Sequence, residues 1–305
     1  MLPCPLCGEA RALRLLERPD RLGRETFSYF RCPRCGLIRL EPRPACELLV
    51  RYYPATYEAY QEIVEPWWQQ WGRRRGWHRR IHFLQRYLPV RTGRVLDVGC
   101  ATGDFLAEMQ RLGWETWGLE PNPGAADCAR RKLPGSRILD VLLEDADLPA
   151  TFFDLITLWD VLEHVSNPVQ GLAKAAGWLR PQGLLAVGIP HLESYDARLF
   201  GHHWVGWDAP RHLFLFPRAT LRTLASQAGL EEVAHGCLYG DYGAFLLSLE
   251  TALQARGWEK ALGIARLRVW RYLLWPYFRL SELCDRGPVC TYLFRPSAHP
   301  AVRGG

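Results

Sequence analysis

The stretch Arg94-Val-Leu-Asp-Val-Gly-Cys-Ala-Thr-Gly-Asp-Phe-Leu106 constrains this chain more than any other. Val95, Leu96 and Val98 read as a short buried strand, Gly99 to Gly103 as a tight turn, and Phe105, Leu106 and Met109 as the apolar side of a helix. A strand that passes through a turn without bulky side chains into a helix is the ligand-binding corner of an open α/β sheet, whose sites lie at the carboxyl ends of the strands. Gly99 and Gly103 let the backbone take conformations closed to other residues and let a ligand approach closely. Asp97 lies inside the strand end, where a carboxylate is costly to bury without a partner.

The rest of the chain repeats this alternation. Strands are expected at Glu115–Leu119, Ser136–Leu139, Phe153–Trp159, Leu184–Ile189, Glu232–Leu238 and Val289–Phe294. Helices are expected at Asp104–Leu112, Gly124–Lys132, Val169–Leu179 and Thr220–Ala228. Strands alternating with helices predict a largely parallel sheet covered on both faces. Glu120 closes the second strand, about twenty residues past the glycine turn, where a carboxylate can accept both hydroxyls of a nucleoside ribose. That geometry alone suits NAD as well as other nucleosides. The turn itself, Asp97-x-Gly99-x-Ala101-x-Gly103, is not the G-x-G-x-x-G of a dinucleotide site.

These residues resemble motif I and the second-strand acid of the class I S-adenosylmethionine (SAM)-dependent methyltransferases, over roughly residues 90–295. The resemblance implies a Rossmann-like seven-stranded methyltransferase sheet with its last strand antiparallel. It implies SAM as cofactor, bound by Asp97, Gly99, Ala101, Gly103 and Glu120. The family usually has glycine where Ala101 stands, so a negative φ is expected there. An acid before Leu148-Pro149 contacts the adenine amino group in the family; Glu144 and Asp145 both fit. Asp154 is read as a residue that caps or orients the fourth strand.

Asp160-Val-Leu-Glu163-His164-Val-Ser-Asn-Pro168 is similar to the segment that lines the family's site beside the transferred methyl, with Asp160 on the cofactor side. His164 is the leading general base, since imidazole titrates near neutrality. It reads equally as a histidine tying the loop to the next helix, and Glu163 as structural. The segment Phe200–Leu213 reads as a loop over the acceptor: His203 and His212 are acid/base candidates, and Trp204, Asp208 and Arg211 substrate candidates. Hydrogen bonds that merely hold the loop explain each of them as well.

Cys4-Pro-Leu-Cys7-Gly and Cys32-Pro-Arg-Cys35-Gly form two matched knuckles, C-x2-C-x24-C-x2-C. Four thiolates at this spacing suit a structural tetrahedral zinc ion, each pair supplied by one tight turn. Phe27-Ser-Tyr-Phe30 between them alternates as a short strand, giving a zinc ribbon that caps substrate, supports structure or reads nucleic acid. Residues 46–90 follow as a helical, aromatic lid in which Tyr57 is a substrate candidate. Arg73, Arg74, Arg75, Arg79 and Arg80 suit an anion-binding lid, but a solvated helix face is the preferred reading.

The expected organisation is therefore a zinc ribbon (1–45), a helical linker or lid (46–90), a methyltransferase domain (91–296) with a helical insertion (241–285), and a flexible tail (297–305). In the insertion Arg266, Arg268 and Arg271 do not share a helix face, which speaks against a single membrane-surface helix. Its tryptophans and tyrosines still suit packing, a homodimer or peripheral membrane contact through 262–280. The 305 residues carry a net charge of +6, which permits an anionic partner and requires none. Neither a leader nor a bilayer-spanning run is expected, and clustered cysteines suit a reducing, cytoplasmic compartment.

The reaction expected is methyl transfer from SAM to oxygen, carbon or nitrogen of a small acceptor, sugar-like or lipid-like among others. An RNA methyltransferase using the ribbon and the basic helix is the alternative. The strand-four end, Trp159-Asp160-Val161, lacks the Asn/Asp-Pro-Pro-aromatic sequence of amino-group nucleic-acid methylases, and no Pro-Cys pair offers a cytosine-C5 nucleophile. A non-catalytic scaffold of the same fold is the third reading, opposed by the intact Asp97, Gly103 and Glu120.

Overall fold

The computed structural model describes residues 2–20, 24–44, 50–53, 67–238, 242–258, 263 and 269–297. Tyr57, most of the expected lid before Trp67 and the tail from residue 298 lie outside them. In chain order the elements are β1 (Leu13–Pro19), β2 (Thr26–Arg31), β3 (Ile38–Glu41), a 3-10 turn (Val50–Tyr52), α1 (Trp67–Gln85), β4 (Arg94–Val98), α2 (Asp104–Arg111), β5 (Glu115–Leu119), α3 (Pro123–Lys132) and β6 (Arg137–Leu139). There follow β7 (Phe153–Trp159), α4 (Pro168–Trp178), β8 (Leu179–Pro190), α5 (Tyr195–Phe200), a 3-10 turn (Gly201–His203), β9 (Phe214–Leu215), α6 (Arg218–Gln227), β10 (Leu230–Gly236), α7 (Tyr242–Gln254), α8 (Val269–Leu273), α9 (Trp275–Leu283) and β11 (Val289–Pro296).

Seven strands form one sheet in the order β10-β11-β8-β7-β4-β5-β6. The run from β8 to β6 is parallel, and the last strand of the chain, β11, is antiparallel as expected, one place in from the β10 edge. Its inner strands are apolar because both faces are covered: Val95, Leu155, Leu184, Ala186 and Leu293 pack with Phe105, Leu106 and Met109 of α2, Ala126 and Ala129 of α3, and Ile81 and Leu84 of α1. Each fully buried leucine in this set contributes about 2 kcal/mol.

The register sets the site. Val98 of β4 pairs with Leu119 of β5 and with Leu158 of β7, so three parallel strands end level. The segments that follow them, Gly99–Gly103, Glu120–Asn122 and Asp160–His164, consequently emerge at one edge of the sheet.

One element differs from expectation. Leu179-Arg-Pro-Gln-Gly183 was expected to end a helix and turn, but β8 already begins at Leu179, opposite Phe153. The pairing then slips, Leu155 meeting Leu184, and the intervening residues form a bulge. Pro181 has no amide hydrogen for a ladder, so a bulge is where a sheet tolerates it.

The chain divides into two compact units: residues 45–188, 222–234 and 292–305 in one, residues 1–44, 189–221 and 235–291 in the other. Within the latter, β1, β2, β3 and β9 make a second, antiparallel sheet. Phe27 and Tyr29 point into its core while their neighbours are more open, the period-two pattern of a half-buried strand. The short β9 was not anticipated. Phe214 and Leu215 pair with Arg39 and Ile38, so the segment read as a loop over 200–213 ends as a strand of the ribbon's sheet. Among the described residues no helix is long and apolar enough to cross a membrane.

Candidate active site

At the level strand ends two carboxylates are buried side by side in the sheet. Asp97 accepts a 2.6 Å hydrogen bond from the Thr157 hydroxyl of the neighbouring strand. Burial pushes its pKa up to about 7, with the Glu120 charge adding to the effect and the Thr157 bond opposing it. Glu120 is 3% exposed and accepts from two backbone amides, Ala101 N at 2.9 Å and Asn122 N at 2.8 Å. Burial raises its pKa, and the two amides hold the rise back.

The bond to Ala101 explains a difference from the sequence reading. Ala101 has φ +47°, not the negative value expected for a non-glycine residue. Its amide is held by Glu120, and the chain turns left-handed to reach it. Gly99 and Gly103 are also left-handed, at φ +69° and +79°. The left-handed φ at Gly103 favours glycine, and a Cβ there would also press on Leu133 Cδ1, at 2.7 Å.

After β7 the backbone turns sharply at Asp160, φ +54°, whose amide donates to Gly188 O at 2.9 Å. The carboxyl of Asp160 is exposed. Glu163 is fully buried, and neither of its carboxylate oxygens has a hydrogen-bond partner among the described residues. Burial, with Asp160 nearby, holds its pKa well above the ordinary range. His164 Nδ1 lies 2.9 Å from the Tyr53 hydroxyl, with the rings edge to face at 6.1 Å. Glu144 takes the Ser166 amide at 2.9 Å and its hydroxyl at 2.7 Å, closing the same segment from below, while Asp145 is exposed. Asp154 accepts from Arg94 N at 2.9 Å and Arg180 Nη1 at 2.8 Å, orienting strands β4, β7 and β8.

Arg73, Arg74 and Arg75 of the basic helix are solvent-exposed, as preferred from sequence, and the helix also pairs with α2. Glu108 of α2, 5% exposed, accepts from Arg74 at 3.0 Å and His78 at 3.1 Å of α1, and from Arg111. Arg73 lies 3.4 Å from Asp104. Arg80 stacks over Trp77 at 4.3 Å and over Trp159 at 5.2 Å, and its charge reaches Asp97. Sequence reasoning passed over this cluster because nothing in the local pattern separates Arg80 from its neighbours. The indole N–H groups of Trp77 and Trp159 are buried without partners among the described residues. Orphaned donors and paired acids at one strand edge fit a polar nucleoside ligand such as SAM.

In the other unit the 201–213 segment is tightly held. Asp208 and Arg211, both under 9% exposed, form an ion pair with each other. Trp204 is 2% exposed and packs edge to face on Trp207 at 5.9 Å. His212 Nδ1 donates to Gly206 O at 2.8 Å, which leaves the lone pair on Nε2 in the neutral ring. His203 is half-buried; burial and the charges of Arg18 and Arg256 lower its pKa. The structure thus engages Asp208 and Arg211 with one another, puts Trp204 in the core and ties His212 to the loop backbone.

The four knuckle cysteines converge. Their sulfurs all lie within 4.8 Å of one another, with Cys4–Cys35 and Cys7–Cys32 at 3.5 Å. The knuckles are built alike: Gly8 and Gly36 at φ +72° and +78°, their amides donating to Cys4 O at 2.9 Å and Cys32 O at 3.0 Å. With metal–sulfur bonds of about 2.3 Å, a tetrahedral site has sulfur–sulfur edges near this spacing. The ribbon also grips the 201–213 segment. Leu40 N donates to Leu213 O at 2.9 Å, the Tyr29 hydroxyl to His212 O at 2.9 Å, and the Thr220 hydroxyl to Cys35 O at 2.6 Å.

A family model for a methyltransferase domain matches residues 70–235. A ubiquinone biosynthesis O-methyltransferase of Rhodopseudomonas palustris strain TIE-1 is 28% identical over 182 residues, covering 52% of this chain and 71% of that protein. Another of the same description, from Xanthomonas euvesicatoria, is 27% identical over 213 residues, covering 62% and 85%. Among solved structures, a SAM-dependent methyltransferase of Thermotoga maritima superposes with a TM-score of 0.52 at 19% identity, covering 82% of this chain and 98% of that one. The cyclase SpnF superposes with a TM-score of 0.51 at 17% identity, covering 79% and 86%. Structural likeness at such identity speaks for the fold alone.

Proposed function

Because the chain belongs to the methyltransferase-domain family and is a SAM-dependent methyltransferase of a small molecule, we propose that it methylates a hydroxyl oxygen, with His164 taking the hydroxyl proton. The observation that carries this reading is the His164–Tyr53 contact at the edge where β4, β5 and β7 end level. Similarity to proteins described as ubiquinone biosynthesis O-methyltransferases supports oxygen over nitrogen or carbon, and a quinone-type hydroxyl precursor as acceptor class.

SAM, when bound, supplies a methyl group on a positively charged sulfur that is already a good leaving group. The protein's own part is alignment and proton removal. Glu120, held by two amides, offers its remaining lone pairs to ribose hydroxyls, and Gly99, Ala101 and Gly103 keep the turn beside it free of bulk. Asp97, Asp160 and Arg80 set the charge around that corner. Of the two acids near the adenine position, Glu144 is tied to Ser166, which favours Asp145. His164 acts as a base through Nε2 when Nδ1 carries the hydrogen and donates to the Tyr53 oxygen; Tyr53 then stabilises the tautomer and the imidazolium that forms. His212 and His203 are the second-rank acid/base groups, for an acceptor with a further ionising hydroxyl.

Cys4, Cys7, Cys32 and Cys35 would hold one structural zinc ion, clamping the ribbon without entering the chemistry. That four-thiolate donor set suits a reducing compartment, the cytoplasm.

The test is incorporation of label from methyl-labelled SAM into phenols, polyprenyl phenols, sugar nucleotides, amines and RNA. Label is expected in a hydroxyl compound, and is expected to fall by about 100-fold or more in His164→Ala, the scale of a lost general base. Label confined to amines or RNA would overturn the assignment.

A further inference from the structure

Helix α9 is apolar on both sides. Phe278 and Ser281 face inward, 7% and 0% exposed, while Pro276, Leu280 and Leu283, at spacings of four and three residues, face water. Leu283 is 75% exposed and Trp275, at the start of the same helix, 61%. Helix α8 adds Tyr272 at 77% and Leu273 at 60%, and Trp258 beyond α7 is 61% exposed. Scattered exposed leucines are ordinary, but contiguous tryptophan, tyrosine and leucine on adjoining helices mark a surface that meets something. Leu274 separates α8 from α9, so two short helices each keep their own phase.

Charge selects the occupant. Residues 256–286 contain seven basic residues, Arg256, Lys260, Arg266, Arg268, Arg271, Arg279 and Arg286, and three acids, Glu259, Glu282 and Asp285. This segment alone therefore carries +4 of the chain's +6. A second copy of the same surface would set like charge against like. An apolar protein partner would not need the arginines. Tryptophan and tyrosine with arginine around exposed leucines is the composition that settles at the headgroup level of a bilayer, the rings straddling the interface and the cations meeting anionic headgroups.

We propose that the α8–α9 surface binds peripherally to a membrane bearing anionic lipids. Trp258, Tyr272, Trp275 and Leu283 insert at the interface, the net positive charge of 256–286 draws this surface to anionic headgroups, and no described helix spans the bilayer.

Sedimentation of the full chain with vesicles tests this. Vesicles of phosphatidylcholine with about one third phosphatidylglycerol should bind at least about tenfold more strongly than pure phosphatidylcholine, with most of the difference lost in high salt. Trp275→Ser and Leu283→Ser, both at exposed positions, should each lower binding severalfold with unchanged far-UV circular dichroism and unchanged turnover of a water-soluble acceptor. No binding, or equal binding to neutral and anionic vesicles, would overturn the proposal. So would a concentration-dependent dimer that these substitutions abolish without any vesicle binding, and so would substitutions that raise only the KM for a lipid-tailed acceptor.

Discussion

Ala101 sits in a backbone conformation that costs an alanine about 1–2 kcal/mol, and it does so because its amide is held by a carboxylate nineteen residues further along the chain. Replacing it by glycine removes that strain and adds some freedom to the unfolded chain, so Ala101→Gly should gain about 0.5–1 kcal/mol in urea unfolding, with SAM affinity by calorimetry nearly unchanged. A loss of stability would show that the methyl group is packed to advantage. The glycine turn was legible because its residue types act locally. The sign of φ at Ala101 was not, because Glu120 sets it from another strand. The same holds for Tyr53, one tyrosine among several in an aromatic segment until the fold places its hydroxyl on His164. Tyr53→Phe keeps the ring and deletes that contact; kcat should fall by about tenfold while the affinity for SAM stays at the wild-type value, a smaller loss than that of His164→Ala. Equal kcat and an identical pH profile in Tyr53→Phe would reduce the contact to packing.

Among elements, the ribbon changes most on inspection. Its two knuckles were plain in the sequence, since cysteine spacing and glycine position encode a local turn. Its engagement of residues 201–220 was not, because β3 and β9 pair across most of the chain and a two-residue strand leaves no periodic trace. In this arrangement the cysteine cluster supports the segment that carries His203 and His212 through Tyr29, Leu40 and Cys35. Metal analysis should find about one zinc ion per chain. Cys32→Ser should lose it, and limited proteolysis should then cut within 201–213 at least several times faster, with SAM affinity retained because Asp97 and Glu120 belong to the other unit. Unchanged protection of 201–213 after metal loss would confine the ribbon to an independent role. The basic helix teaches the converse lesson. Its charge run is solvent-exposed as read, but only the placement of Glu108 on α2 shows that Arg74 and His78 also pair with a buried acid.

For the whole molecule, the α/β alternation is carried by patterns a few residues long, which is why the seven strands and the site's edge could be anticipated while the three-part composition of the second unit could not. The placement of acids at that edge has a consequence for stability against pH. Asp97 keeps its proton up to about pH 7 in the native state but loses it near its ordinary 3.8 when unfolded. Between those values the unfolded state binds fewer protons, so the Asp97 contribution falls as pH rises through the window. Cys237 runs the other way: hydrogen bonds from Cys290 and His191 lower its pKa from 9.0 to about 5, so its contribution grows as pH rises from about 5 towards 9. The two partly cancel in the intact protein, and a single substitution separates them. Asn at position 97 can still accept from Thr157 but carries no charge to bury. The stability difference between Asp97→Asn and the wild type, from urea unfolding, should therefore grow in the variant's favour between pH 5 and pH 8, by on the order of 2–4 kcal/mol at about 1.4 kcal/mol per unit. A difference that stays flat across that range would mean that Asp97 is ionised in the folded protein from pH 5 upward, with Arg80 near enough to balance its charge.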